Sequence, residues 1–132
     1  MSTWDPASLS SLALAFVGDA VWGIYVRDYV LALGIRRPAE LHKQSTYYVM
    51  ANAQARVVQH LWDGLTEVEQ GVVKRGRNAK SGTVRKHADI LDYRHSTGFE
   101  ALIGFLYGQR DRERLDNICL TALRYLHEHK EG

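Results

Sequence analysis

LALAFVGDAVWGIYV, residues 12–26, is apolar almost throughout and carries a single charge, Asp19. As a helix, it sets Leu12, Ala15, Phe16, Trp22, Gly23 and Val26 three, four or seven positions from that aspartate. None of these can pair with a carboxylate. A carboxylate among such neighbours loses hydration and needs a hydrogen bond, a cation or a metal ion. Three arrangements stay open on spacing alone. Gly18 can break the helix and leave Asp19 to cap a second one beginning at Ala20. Asp19 can be a hydrogen-bonded core residue, or it can belong to a functional site. A membrane span over Leu9–Val26 is disfavoured, because a central Asp costs about 3 kcal/mol there and Arg27 and Asp28 follow at once. A secretory signal is disfavoured because no Lys or Arg precedes Arg27. Leu9, Leu12, Phe16, Val17, Val21, Ile24, Tyr25, Tyr29 and Val30 fit no single narrow stripe. The helix is therefore expected to be covered on every side, partly by a second subunit.

Outward from this stretch the chain reads as all-α. The first helix is expected over Ser8–Leu33, ended by Gly34. Pro38 suits the first turn of a second helix, with Glu40 favourable at its N-terminus, running to Trp62. Asp63-Gly64 stops it. Thr66-Glu67-Val68-Glu69 has capping-box form and opens a short helix through Lys74. Arg75–His87, RGRNAKSGTVRKH, has no helical apolar period and two glycines, and reads as a loop. Helix resumes over Ala88–Tyr93, again over Thr97–Tyr107 with Gly108 ending it, and last over Asp111–Glu128. No segment alternates as a strand does.

The 132 residues are expected to form one domain, 1–132, large enough for a real core. The single cysteine, Cys119, excludes a disulfide framework and a Cys-based zinc site, and suits a reducing cytoplasm. The formal charge of +2 hides an asymmetry. Gly71–Ala88 holds Lys74, Arg75, Arg77, Lys80, Arg85 and Lys86 with no acid, which leaves the rest of the chain at a formal −4. Asn78, Ser81 and Thr83 stand between these cations and can contact phosphate or sugar. A solvated loop that aids solubility is the plain alternative. The local concentration of charge favours nucleic acid, and the absence of an aromatic residue between Lys74 and Lys86 favours a duplex backbone over stacked single-stranded bases.

The second carboxylate of interest is Glu100, in STGFEALIG (96–104). Thr97-x-x-Glu100 is itself a capping box, the structural alternative. Glu100 can also face Asp19 across a helix pair, and two facing carboxylates repel unless a cation lies between them. Magnesium commonly takes one or two protein carboxylates and completes its shell with water and phosphate oxygens. The six histidines show no metalloprotease spacing, and no P-loop, dinucleotide fingerprint or Gly-x-Ser-x-Gly is present. His127-Glu128-His129 reads as a solvated tail. His42 and Lys43 face either RNA or solvent.

AFVGDAV (15–21) and FEALIGFLYG (99–108) resemble the two signature segments of the ribonuclease III catalytic domain. LHKQS (41–45), KRGRNAKSGT (74–83) and YRHSTGFEALIGFLY (93–107) narrow the resemblance to the Mini-ribonuclease III branch, the bacterial form without a double-stranded-RNA-binding domain. The resemblance implies an all-α fold, a homodimer, and magnesium-dependent hydrolysis of double-stranded RNA, with manganese as a substitute ion. It implies maturation of the large-subunit ribosomal RNA precursor, with a ribosomal protein on the substrate as a further partner, and products with 5′-phosphate and 3′-hydroxyl ends. Asp19 and Glu100 match the catalytic, metal-binding acids of the two signatures. Lys74, Arg75, Arg77, Asn78, Lys80, Ser81, Thr83, Arg85 and Lys86 would grip the duplex, with His42, Lys43, Arg94 and Thr97 as accessory candidates. Full-length ribonuclease III carries further acids where this chain has Leu12, Ala15 and Thr97, a departure that Mini-ribonuclease III shares, so the metal site is expected to be leaner. Gly23 stands where that branch is expected to carry a glutamate. Two rivals remain: a non-catalytic RNA-binding or ribosome-assembly protein on the same fold, and a helical dimer with no nucleic-acid role, which leaves the basic segment unexplained.

Overall fold

The computed structural model describes residues 4–79 and 89–130. Six helices follow in order: α1 (Ser11–Ala32), α2 (Pro38–Val49), α3 (Ala51–Leu61), α4 (Glu67–Asn78), α5 (Ile90–Gln109) and α6 (Arg112–Glu128). Short 3-10 turns span Pro6–Ser8 and Trp62–Gly64, and no strand occurs among the described residues. The all-α expectation holds. Among the described residues, no helix is long and apolar enough to cross a membrane.

The helices are organised around α5, which packs against α1, α3 and α4. Nearly every side chain from Ser96 to Leu106 is buried. Trp22 of α1 meets Phe99 of α5 edge-on, with ring centroids 4.9 Å apart. The Trp22 indole N–H donates to the Tyr48 carbonyl at 3.1 Å, which ties α1 to the end of α2. Glu69, only 5% exposed, completes the capping box with Thr66 that the sequence announced. Its carboxylate also accepts from the Arg114 guanidinium at 2.7 and 2.8 Å, joining the start of α4 to α6.

Four sequence expectations give way to the structure. The helix expected over Pro38–Trp62 breaks at Met50, which takes extended backbone at φ −65°, ψ 146°. Neither proline nor glycine stands there. The bend lets both Tyr48 and the Ala53–Val58 face reach the core, so packing decides it rather than local propensity. The helix expected to stop at Lys74 runs on to Asn78, so Arg75, Arg77 and Asn78 are helical. Gly76 belongs to that helix because α4 crosses α5 there: a Cβ on it would lie 2.8 Å from the Gly98 Cα. The helices expected over Ala88–Tyr93 and Thr97–Tyr107 are one helix, capped by Asp89, whose carboxylate accepts from the Leu91 and Asp92 amides at 2.8 and 3.2 Å. Gly108 does not end that helix. It lies inside it under the Trp4 ring, and Arg110 closes it in left-handed backbone at φ 61°. The first helix begins at Ser11, capped by Ser10, and Gly34 follows its end at φ 93°, as expected.

Candidate active site

The site is built where α1 crosses α5. Gly18 and Gly104 face each other at that crossing. A Cβ on Gly18 would lie 1.7 Å from the Glu100 carbonyl oxygen, and one on Gly104 would lie 2.0 Å from the Leu14 carbonyl oxygen. No larger residue fits at either position without the backbones separating. Gly18 is therefore not a break, and Asp19 caps nothing, because α1 is continuous through both. The close crossing places Asp19, the next residue on α1, beside Glu100 on α5.

The two carboxyl groups hydrogen-bond each other. A carboxylate pair does so by holding one proton between them. The Glu100 carboxyl is pushed up to about 8, first by burial, then by its hydrogen bond to Asp19 and by the Asp19 charge; a hydrogen bond from Gln54 pulls the other way. Asp19 is exposed and Glu100 partly buried. The expectation of a dehydrated Asp19 is thus corrected. Its apolar neighbours Phe16 and Leu12 are themselves open to solvent, and Glu100 is the acid that burial perturbs. Thr97 does not cap α5. It sits mid-helix, 8% exposed, with its hydroxyl donating to the Tyr93 carbonyl at 3.1 Å.

Both acids open into one cleft, which Thr46, Asn52, Gln54, Asp89, Asp92 and Ser96 also line. Gln54 and Asp92 are site residues that the sequence did not single out. Among the described residues no three His, Cys, Asp or Glu side chains converge to hold an ion by themselves. The donor set nonetheless fits a hard divalent cation: two oxygen ligands that repel each other when both ionised, one of them open to water and to an incoming phosphate.

The other candidates are spread more widely. Lys74, Arg75 and Asn78 are exposed along the C-terminal half of α4, and Arg77 is half-buried. The Lys74 ammonium lies 5.7 Å from the Trp62 ring centroid. His42, Lys43 and Arg94 are exposed, and none of them lines the cleft. Gly23 is buried on α1, and its carbonyl accepts from Arg27 at 3.0 Å. Lys80, Ser81, Thr83, Arg85 and Lys86 lie outside the described residues.

The chain is similar to known proteins along most of its length. The ribonuclease III domain profile matches residues 12–111. The chain is 46% identical over 129 residues to Mini-ribonuclease 3 of Enterococcus faecalis, which covers 96% of this chain and 98% of that one. It is 52% identical over 120 residues to Mini-ribonuclease 3 of Brevibacillus brevis, covering 91% and 90%. A crystal structure of a Fusobacterium nucleatum protein superposes with a TM-score of 0.78 at 29% identity, covering 89% of this chain and 93% of that one. With one glycine-to-glycine crossing setting an aspartate beside a glutamate, and with relatives matched along nearly their whole length, the chain belongs to the ribonuclease III family, in its Mini-ribonuclease 3 branch.

Proposed function

We propose that this endoribonuclease cleaves double-stranded RNA with magnesium held by Asp19 and Glu100, manganese being able to substitute, and that it matures the large-subunit ribosomal RNA precursor in the cytoplasm. The observation that carries the reading is the carboxyl pair at the α1–α5 crossing, with Glu100 pushed up to about 8 beside Asp19. When bound, the ion supplies the positive charge that such a pair lacks, polarises the scissile phosphate and acidifies a water for in-line attack. Asp19, being exposed, presents its carboxylate to phosphate and solvent. Glu100, fixed on the central helix beside it, would hold the ion from the buried side of the cleft. Cleavage then leaves 5′-phosphate and 3′-hydroxyl ends.

The working form is a homodimer of single catalytic domains. Phe16 is 82% and Ile24 61% exposed on α1. They flank an apolar groove of about 800 Å³ completed by Val17, Val21, Leu106 and Leu115. Apolar side chains on that scale fit the self-complementary face of a two-fold dimer. Two sites would then lie across one duplex, one for each strand, giving short 3′ overhangs. The exposed cations of α4 and those of residues 80–86 grip the phosphates beyond the cut, with His42, Lys43 and Arg94 as accessory contacts. A ribosomal protein on the precursor is a further partner of this reading.

The test is a long uniform duplex RNA, its single strands and the ribosomal precursor, each incubated with magnesium and with a chelator. The proposal expects cutting of duplex and precursor alone, only with the ion, and 5′-phosphate ends. Cutting of single strands, or cutting that survives chelation, would overturn it.

A further inference from the structure

Gln54 is a buried polar side chain set against the carboxyl pair. It is 2% exposed, on the face of α3 that also buries Ala53, Val57 and Val58. An amide in such surroundings loses much of its hydration unless a partner replaces the water. Gln54 lines the same cleft as Glu100, and its amide acts on the Glu100 carboxyl against the effect of burial. Its position follows from the turn at Met50: that bend points the first turn of α3 at α5.

We infer, on the basis of the metal-site reading above, that Gln54 is a positioning residue: its amide N–H holds the Glu100 carboxyl turned toward Asp19 and the cation between them. The chemistry of the choice supports this. Lys or Arg at this position would orient Glu100 equally well, but its charge would compete with the cation. The described lining of the cleft contains neither. A carboxylate at this position would add repulsion to two acids that already face each other. A leucine or methionine would fill the space and orient nothing. A neutral donor fixes the ligand and leaves its charge for the ion. It also does so where Leu12 and Ala15 are apolar and the Thr97 hydroxyl is committed to the Tyr93 carbonyl. Partners of this kind around metal ligands are worth about 10–100-fold in metal affinity or activity.

The test replaces the amide without opening a cavity. Gln54→Met keeps length and volume, and Gln54→Leu is the second variant should Met disturb the melting temperature in chelator. Each is compared with wild type and with Glu100→Gln for manganese affinity, by electron paramagnetic resonance of the free ion, and for kcat and KM on duplex RNA. The inference expects at least about a 10-fold loss of manganese affinity, a parallel fall in kcat at limiting ion, and an unchanged RNA KM, in a variant that melts like wild type. Wild-type manganese affinity and kcat in a folded variant would overturn it, and so would a loss confined to RNA KM. Failure of the metal-site reading itself looks different: Glu100→Gln would then bind manganese and cut as wild type does, whatever Gln54 contributes.

Discussion

Replacing Glu100 by glutamine should stabilise the metal-free protein, and by an amount that grows with pH. In the fold the Glu100 carboxyl sits at about 8, against 4.5 for the ordinary group. Between those values the native state keeps a proton that the unfolded chain has released. Stability therefore falls as pH rises through that window and levels off above it. At about 1.4 kcal/mol per pH unit, the whole cost is about 5 kcal/mol, of which about 3 kcal/mol falls between pH 6 and pH 9. Glutamine keeps the shape and the hydrogen bonds and has nothing to ionise. Urea denaturation of wild type and Glu100→Gln in chelator, at both pH values, isolates the effect of the pair, because every titrating group outside it is common to the two proteins. The mutant's advantage should grow by about 3 kcal/mol, or about 10 °C in melting temperature for a chain of this size. Saturating magnesium should shrink the advantage at pH 9. An advantage that is the same at both pH values would show that Glu100 carries no such proton, and the shared-proton pair would be refuted.

The remaining predictions concern the frame and the surfaces. Gly18→Ala and Gly104→Ala should each cost at least about 1–3 kcal/mol and depress cleavage further than stability, since the added methyl meets a backbone carbonyl beside the acids; denaturation and single-turnover cleavage on the same samples check this. Arg114→Ala should cost about 2–4 kcal/mol in urea at pH 7, because it leaves the buried Glu69 carboxylate without its guanidinium. That pairing holds Glu69 below its ordinary value, so its contribution is present above the usual carboxyl range and fades as pH falls through the native value, and the mutant's deficit should shrink in acid. Lys74→Ala with Arg75→Ala should lower duplex affinity and reduce the slope of log affinity against log salt by about 0.7–0.9 for each phosphate no longer neutralised, read by fluorescence anisotropy. Phe16→Asp should leave a monomer in sedimentation equilibrium, since it sets a charge in the apolar face of α1.

The all-α fold class was legible in the sequence because it rests on strong local patterns. Spacing alone left Asp19 and Glu100 open between cap, core and functional roles, and only the family resemblance singled them out as a pair. Two of the helix-boundary errors, at Lys74 and at Gly108, originate in glycine. Gly18, Gly76 and Gly108 look like breakers when only neighbours along the chain are considered, yet each lies inside a helix where another chain segment comes too close for a Cβ. Such a glycine answers to tertiary contact, which local pattern does not encode. The break at Met50 is the converse case: no breaker residue stands there, and the helix bends because two faces have to reach one core. Gln54 was overlooked for that reason. In an unbroken helix it is one polar residue among many, and only the turn at Met50 sets it against Glu100. The exposure of Asp19 was misjudged because its apolar neighbours Phe16 and Leu12 are exposed on the surface of the single chain, Leu12 at the rim of the cleft and Phe16 on the face assigned here to a second copy.

The central claim is that Asp19 and Glu100 together form the metal site that cuts duplex RNA. The most direct test is cleavage of one long uniform duplex with magnesium by wild type, Asp19→Asn and Glu100→Gln, with RNA binding measured on the same preparations. All three should bind, and only wild type should cut. Cleavage by either mutant at the wild-type rate would contradict the claim.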